Sequence, residues 1–317
     1  MNIIKNIRKR ASNNLKTIVL PRSSDPRVIQ AAEYLQDHAL AKPILLQNND
    51  AVIPNDITTV DPSTDDRLQA YAHSFYERRK HKGITEEEAV KIVQDPLFFA
   101  ASMVASGDAD GAVAGSVSTT GDVLRAAIQV IGLKSGSNVV SSVFLMSFED
   151  GRVYTYGDCA VVPYPNAEQL ATIASDSADT HRKVTGEEPK AAMLSFSTKG
   201  SAQHERIDLV RKALELVKAQ YPELSVDGEM QFDAAIIPEI AKRKAPDSKV
   251  AGQANVFIFP NLDAGNIAYK ITERLAGATA TGPIIQGLAK PMMDLSRGCS
   301  WEDIVNTACV CSLMSQD

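Results

Sequence analysis

Four stretches of this chain hold the residue types that bind or move charged groups. Ser116-Val117-Ser118-Thr119-Thr120-Gly121-Asp122 gathers hydroxyls and a glycine ahead of a segment carrying Arg125. Hydroxyls and free backbone N–H groups where a helix starts make an anion site, and the same residues make an ordinary N-cap. Ser195-Phe196-Ser197-Thr198-Lys199-Gly200-Ser201 repeats that composition with one cation, as a phosphate loop or a solvated one. From Lys290 to Asp303, Ser296, Arg297 and Asp303 crowd around Gly298. Spacing alone reads Ser300 there as the cap of a final helix, with Asp303 as its N3 acid. Arg78-Arg79-Lys80-His81-Lys82-Gly83 is a basic run, either a solvated helix end or a contact for a polyphosphate.

What surrounds these stretches limits the chemistry. No Walker A, G-x-G-x-x-G or G-x-S-x-G pattern occurs, which argues against a nucleoside triphosphatase, a dinucleotide dehydrogenase and an α/β-hydrolase. The five histidines are scattered, and no His, Cys and carboxylate set has metal spacing. Cys159, Cys299, Cys309 and Cys311 form no disulfide framework, and Cys309 and Cys311 would point about 200° apart on a helix. Reduced, mostly buried thiols in a cytosolic protein are the expectation. Lys plus Arg total 33 against 39 Asp plus Glu, so a nucleic-acid surface is not expected. No apolar run reaches the length of a membrane span, and the basic, polar Met1 to Lys16 lacks the core of a signal peptide. A cytoplasmic location follows as the expectation.

The elements that must position these residues alternate. Thr17–Leu20, Pro43–Leu46, Asp110–Ser116, Ala191–Phe196, Leu224–Val226 and Val256–Phe259 read as strands. Between them run helical patterns over 26–35, 97–105, 122–130, 167–184, 204–220, 234–242, 264–275 and 301–314. Asp61-Pro62 reads as an N-cap and first residue of a helix through Tyr71 and Phe75, and Thr85 to Glu88 as a capping box. Val139–Phe148 and Val153–Tyr156 flank a Glu149-Asp150-Gly151 turn, a hairpin that marks a second domain. The alternation predicts an α/β protein with mostly parallel sheets covered by helices on both faces. In such sheets ligands sit beyond the carboxyl ends of the strands, where three of the four stretches lie.

Read together, these motifs resemble the phosphotransacetylase family, over nearly the whole chain. The carriers are Arg79-Lys80-His81-Lys82-Gly83, Asp110 to Gly115 running into Ser118-Thr119-Thr120, Ala167-Glu168-Gln169-Leu170, Ser195 to Ala202, and Val226 to Gln231. Phe259 to Asn266, Gly282 to Gly287 and Asp294-Leu295-Ser296-Arg297-Gly298 complete the set. The length is similar to the short form. One departure is clear: after the first strand the family usually has Pro-Glu-Gly, and this chain has Pro21-Arg22-Ser23-Ser24. Around Tyr164-Pro165-Asn166 the wording also differs slightly.

The resemblance implies two three-layer α/β/α domains, residues 1–137 with 294–317 and residues 138–293, with an active-site cleft between them, in a homodimer. It implies acetyl transfer between coenzyme A and inorganic phosphate, with acetyl phosphate as the other substrate. No metal and no tightly bound cofactor are expected, and acetate kinase is the pathway neighbour. By the same resemblance Asp303 is the base that takes the thiol proton, Ser296 polarises the reacting group and Arg297 steadies phosphoryl oxygens. Arg125, Arg79, Ser118, Thr119, Thr120, Ser197, Thr198, Lys199, Asn261 and Lys290 are carried over as substrate-binding. A thiol holds its proton more tightly than an ordinary aspartate does, so cations that favour thiolate belong to the expectation. A butyryl-transferring relative, an NAD(P)-dependent decarboxylating dehydrogenase of related architecture, and a non-catalytic CoA-binding module are the rival readings.

Overall fold

A computed structural model describes residues 3–47 and 53–316 of the chain. They divide into two compact units: Ser135–Gly287, and Ile4–Lys134 together with the chain from Leu288 onward.

The N-terminal unit begins with α1 (Ile3–Ser12), β1 (Thr17–Leu20), α2 (Pro26–Asp37), β2 (Lys42–Leu46) and β3 (Thr58–Val60). Next come α3 (Leu68–Arg79), α4 (Glu86–Val93), α5 (Pro96–Ser106), β4 (Gly111–Ala114) and α6 (Thr120–Ala126), whose last turn widens into a π-type segment over Ala127–Ile131. The chain crosses to the central unit for β5 (Ser141–Ser147), β6 (Val153–Gly157), α7 (Ala167–Thr185), β7 (Ala191–Leu194), α8 (Glu205–Gln220) and β8 (Val226–Met230). There it continues through α9 (Phe232–Ile236), α10 (Pro238–Lys244), β9 (Val256–Ile258), α11 (Leu262–Ala276) and β10 (Thr279–Gln286). It returns with β11 (Met292–Asp294) and α12 (Trp301–Met314).

The N-terminal sheet has the order β11-β4-β1-β2-β3, parallel throughout. Its strands are short and apolar because both faces are covered: all of β4 and the last three residues of β1 are buried. The strand order reverses between β1 and β4, so the loops after those strands part at a crevice, the place where open α/β sheets bind ligands. Because β11 pairs with β4, with Asp294 opposite Ala114, the chain around residues 288–294 belongs to this unit.

The central sheet has the order β10-β5-β6-β9-β7-β8. β6, β9, β7 and β8 run parallel, while β10 and β5 add an antiparallel edge. Alternation along β7 and β9 shows the two-sided covering. Ala191, Met193, Val256 and Ile258 join one buried cluster with α7 and α8, while Ala192, Leu194 and Phe257 join another. The two sheets are mostly parallel with helices on both sides, the expected class.

Caps mark the helix starts. Thr85 and Glu88 form the expected capping box, and Asn166 with Gln169 forms another at α7. Asp95 caps α5, with Pro96 in its first turn. Elsewhere the structure departs from expectation. Asp61 caps a turn, accepting from the Ser63 N–H at 2.8 Å, and α3 starts only at Leu68. The helix expected over 234–242 breaks at Ile237, whose extended backbone before Pro238 separates α9 from α10.

Candidate active site

The loops after β1, β4 and β11 are tied together by two side chains. Asp25 is buried and caps α2, and Arg27 forks onto it with Nε–Oδ1 at 3.1 Å and Nη2–Oδ2 at 2.8 Å. The same guanidinium donates to the carbonyls of Ser116 at 3.0 Å, Arg297 at 3.0 Å and Cys299 at 2.6 Å. Burial raises the Asp25 carboxyl, but Arg27 and the Ser116 hydroxyl outweigh it and hold the group below the usual carboxylate range. One forked cation on a fixed acid therefore sets the spacing of the loop that carries Ser118 and the loop that carries Ser296 and Arg297.

Asp294 supplies the second tie. It ends β11 and is buried, and its Oδ2 accepts from the Thr120 hydroxyl at 2.6 Å, while Oδ1 has no hydrogen-bond partner. Burial pushes its carboxyl up to about 6, against the pull of Thr120 and the Leu295 N–H. Gly115 makes the approach possible. Its φ is +106°, and a Cβ there would overlap the Leu295 backbone and come 2.5 Å from Asp294 Oδ1.

On this frame Ser296 and Arg297 are exposed, and Arg297 makes no ion pair among the described residues. Its side chain is thus a presented cation. Asp303 does form the capping box at α12: its Oδ2 accepts from the Ser300 N–H and hydroxyl, both at 2.9 Å, and Ser300 Oγ accepts from the Asp303 N–H at 3.1 Å. Both contacts use one oxygen. Oδ1 receives no hydrogen bond among the described residues, so capping leaves the second oxygen open to solvent and to a proton donor. Cys299 is buried, and burial, more than the opposing pull of Arg27, pushes its thiol up.

A cavity of about 280 Å³ opens beside the β4–α6 loop. Ser118, Thr119 and Arg125 line it, together with Arg22, Asp95 and Asp122. Thr119 caps α6 and donates its hydroxyl to Asp122 at 2.7 Å, and Arg125 reaches the same carboxylate at 3.0 Å. Three of the expected binding residues thus share one wall, and Thr120 lies beside it on Asp294.

Arg79 and Lys290 belong to the same unit but not to that lining, and Ser197, Thr198, Lys199 and Asn261 belong to the central unit. Arg79 ends α3 outside that lining. Lys290 donates to the carbonyls of Val104 at 2.9 Å and Ala105 at 3.2 Å, closing the end of α5. In the central unit Ser197 donates to Glu229 at 2.8 Å, Thr198 accepts from the Gln231 N–H at 2.9 Å, and Lys199 binds Asp227 at 2.6 Å. Burial would raise Glu229, yet the Arg211 fork, the Gly200 N–H and the Ser197 hydroxyl hold it at about 2. Asn261 caps α11 through the Ala264 N–H at 3.0 Å. Among the described residues no group of three or more His, Cys, Asp or Glu is arranged to hold a metal ion.

A family model described as phosphate acetyl/butaryl transferase matches residues 2–312. The chain belongs to that family. A phosphate acetyltransferase of Thermoanaerobacterium thermosaccharolyticum is 46% identical to it over 328 residues, covering all of both chains. One from Acetivibrio thermocellus is 45% identical, covering 100% of this chain and 99% of its own. Among solved structures, a phosphotransacetylase from Streptococcus pyogenes superimposes with a TM-score of 0.94 at 41% identity, covering 99% of this chain and 98% of its own. The family chemistry is acyl transfer, and this member is an acyltransferase. Family members are thus matched along the loops that carry Ser296, Arg297 and Asp303, all within residues 2–312. Arg22, Arg27 and Asp294 received no role from the sequence, although two of them flank the switch point. Arg22 stood out only as a departure after the first strand and Asp294 only as the first residue of a family motif, neither of which tells a tether from a loop charge.

Proposed function

We propose that the chain works as a phosphate acetyltransferase, acetyl-CoA + phosphate = CoA + acetyl phosphate, with the β11–α12 loop as its reacting centre. It has this activity by the agreement of full-length relatives in the family. In the direction of thioester synthesis, Asp303 Oδ1 takes the thiol proton of CoA. The thiolate adds to the carbonyl carbon of acetyl phosphate, the C–S bond forms, and the bond from that carbon to the phosphate oxygen breaks. Arg297 holds the departing phosphate through forked donors, and the Ser296 hydroxyl donates to the carbonyl oxygen as charge gathers on it. Coenzyme A is a substrate, and no tightly bound cofactor enters.

The observation that carries this reading is that one segment, fastened by Arg27, carries both an Arg297 side chain without an ion pair and, six residues on, an Asp303 with one open oxygen. The experiment mixes CoA and acetyl phosphate with the purified chain and follows thioester absorbance, with butyryl phosphate and a nicotinamide cofactor as controls. Asp303→Asn is expected to lower kcat by about 10²- to 10⁴-fold with KM nearly unchanged. A variant within a few-fold of wild type would leave Asp303 as a helix cap alone.

We further read the chain as a cytoplasmic homodimer with acetate kinase as its metabolic neighbour. No helix among the described residues is long and apolar enough to cross a membrane. Ile267, Ile271 and Leu275 recur every fourth residue on α11 and are 57%, 52% and 84% exposed, an apolar stripe that favours self-association. Sedimentation of the wild type against Ile271→Glu tests it, and a monomer in both would overturn it.

A further inference from the structure

The cavity beside the β4–α6 loop holds two polar groups with nothing to bind. Arg22 Nε is buried without a hydrogen-bond partner, and so is Ser118 Oγ on a residue only 8% exposed. Buried donors without acceptors are costly, and two of them in one cavity wall point to a ligand that satisfies both.

Arg22 is placed for this by a rigid turn. Pro21 precedes it, its carbonyl accepts from the Asp25 N–H at 3.2 Å, and the next residue, Ser23, is buried with its hydroxyl on the Leu46 carbonyl at 2.8 Å. Its carboxylate neighbour does not hold it. Asp95 Oδ2 lies 3.9 Å from Nη2, beyond hydrogen-bond reach, and Asp95 Oδ1 is committed to the Leu97 N–H at 2.9 Å. Arg125 across the wall is different, since Asp122 occupies it at 3.0 Å and is itself engaged by Thr119. Arg22 is therefore the cation of this cavity with an open fork.

We propose that Arg22, with the Ser118 hydroxyl, binds a phosphoryl group of a substrate in this cavity. The inference rests on the acetyltransferase reading, whose substrates both carry phosphoryl groups. A forked guanidinium and a hydroxyl match adjacent phosphoryl oxygens, whereas a neutral amide or ring would leave the charge unmet. It also gives a use to the departure from Pro-Glu-Gly: an acid at position 22 would repel what Arg22 attracts. The phosphoryl group comes either from acetyl phosphate and free phosphate or from coenzyme A.

The test is titration calorimetry with inorganic phosphate, CoA and dephospho-CoA on wild type, Arg22→Gln and Asp95→Asn. Arg22→Gln is expected to weaken at least one ligand about tenfold or more. Asp95→Asn keeps an N-cap of α5 but removes a negative charge from the cavity wall that repels a phosphoryl group, so it tightens that same ligand about threefold, a gain that a damaged fold does not produce. Weakening for inorganic phosphate assigns the group to the acetyl phosphate side. Weakening for CoA that vanishes with dephospho-CoA assigns it to the ribose phosphate, and weakening that persists assigns it to the pyrophosphate. All three ligands within twofold of wild type in Arg22→Gln would overturn the inference, as would weaker binding in Asp95→Asn. Because binding is read without turnover, a wild type that binds but forms no thioester sinks the acetyltransferase reading alone.

Discussion

Asp294→Asn should change how the stability of the protein depends on pH. Burial carries the Asp294 carboxyl from an ordinary 3.8 up to about 6 in the folded chain. A raised acid pKa means that the folded state keeps a proton the unfolded state has already lost. Its contribution to stability is therefore fully present below pH 4 and is lost as pH rises through 6. The size is about 2 pH units at 1.36 kcal/mol each, or about 3 kcal/mol, with a slope near 1.4 kcal/mol per unit between pH 4 and 6. An asparagine does not titrate. Its oxygen can still accept from Thr120, while its amide replaces the partnerless Oδ1. That exchange adds an offset of about 1–3 kcal/mol that is the same at every pH. The assay is urea unfolding of wild type and variant from pH 3.5 to 7.5. The difference between the two curves should move by about 3 kcal/mol in favour of the variant across the window. Parallel curves would refute the reasoning, because they would mean that Asp294 titrates alike in both states.

Arg297→Lys should lose most activity, since an ammonium cannot make the two parallel contacts of a guanidinium to a phosphoryl group, and equal turnover of the two enzymes would discard the forked contact. Arg27→Lys gives up at least two of the three carbonyl contacts that tether the loops; with Arg27 one-third exposed, about 2 kcal/mol of stability is expected to go in urea unfolding, with a fall in kcat. A change below about 0.5 kcal/mol with full kcat would remove the tether from the account. Cys299→Ala should keep most activity, because the buried thiol is pushed up and CoA already brings the sulfur nucleophile. An acetyl group isolated on Cys299 after exposure to acetyl phosphate alone would reverse that conclusion.

Local patterns revealed the elements whose burial is uniform. β1, β4, β7 and β9 are short apolar runs, and α4 and α12 announce themselves through Thr85 and Ser300 with their N3 acids. What failed to show were elements whose local signals conflict. β10 contains Gly282-Pro283, which reads as a turn, yet the strand absorbs the pair in a register shift between Thr281 and Ile284 at the edge of its sheet. α1 turns Ile7 and Ala11 inward, but its four basic residues mask that spacing. β3 is only three residues long with two of them exposed.

The site divides along the same line. Ser296, Arg297 and Asp303 were legible because they lie within ten residues of one another and resemble a family motif. The roles of Arg22, Arg27 and Asp294 were not, because what each does depends on partners far along the chain. Arg27 works through carbonyls at Ser116, Arg297 and Cys299, and Asp294 through Thr120, 174 positions away. Those meetings exist only once β4 lies between β1 and β11. A parallel sheet puts the ends of sequence-distant strands side by side, so its loops are local in sequence and their tethers are not. The consequence is a division of labour within one crevice: residues that face the substrate can be read from the chain in order, whereas residues that hold the loops at their working distance become visible only when the strand order is known.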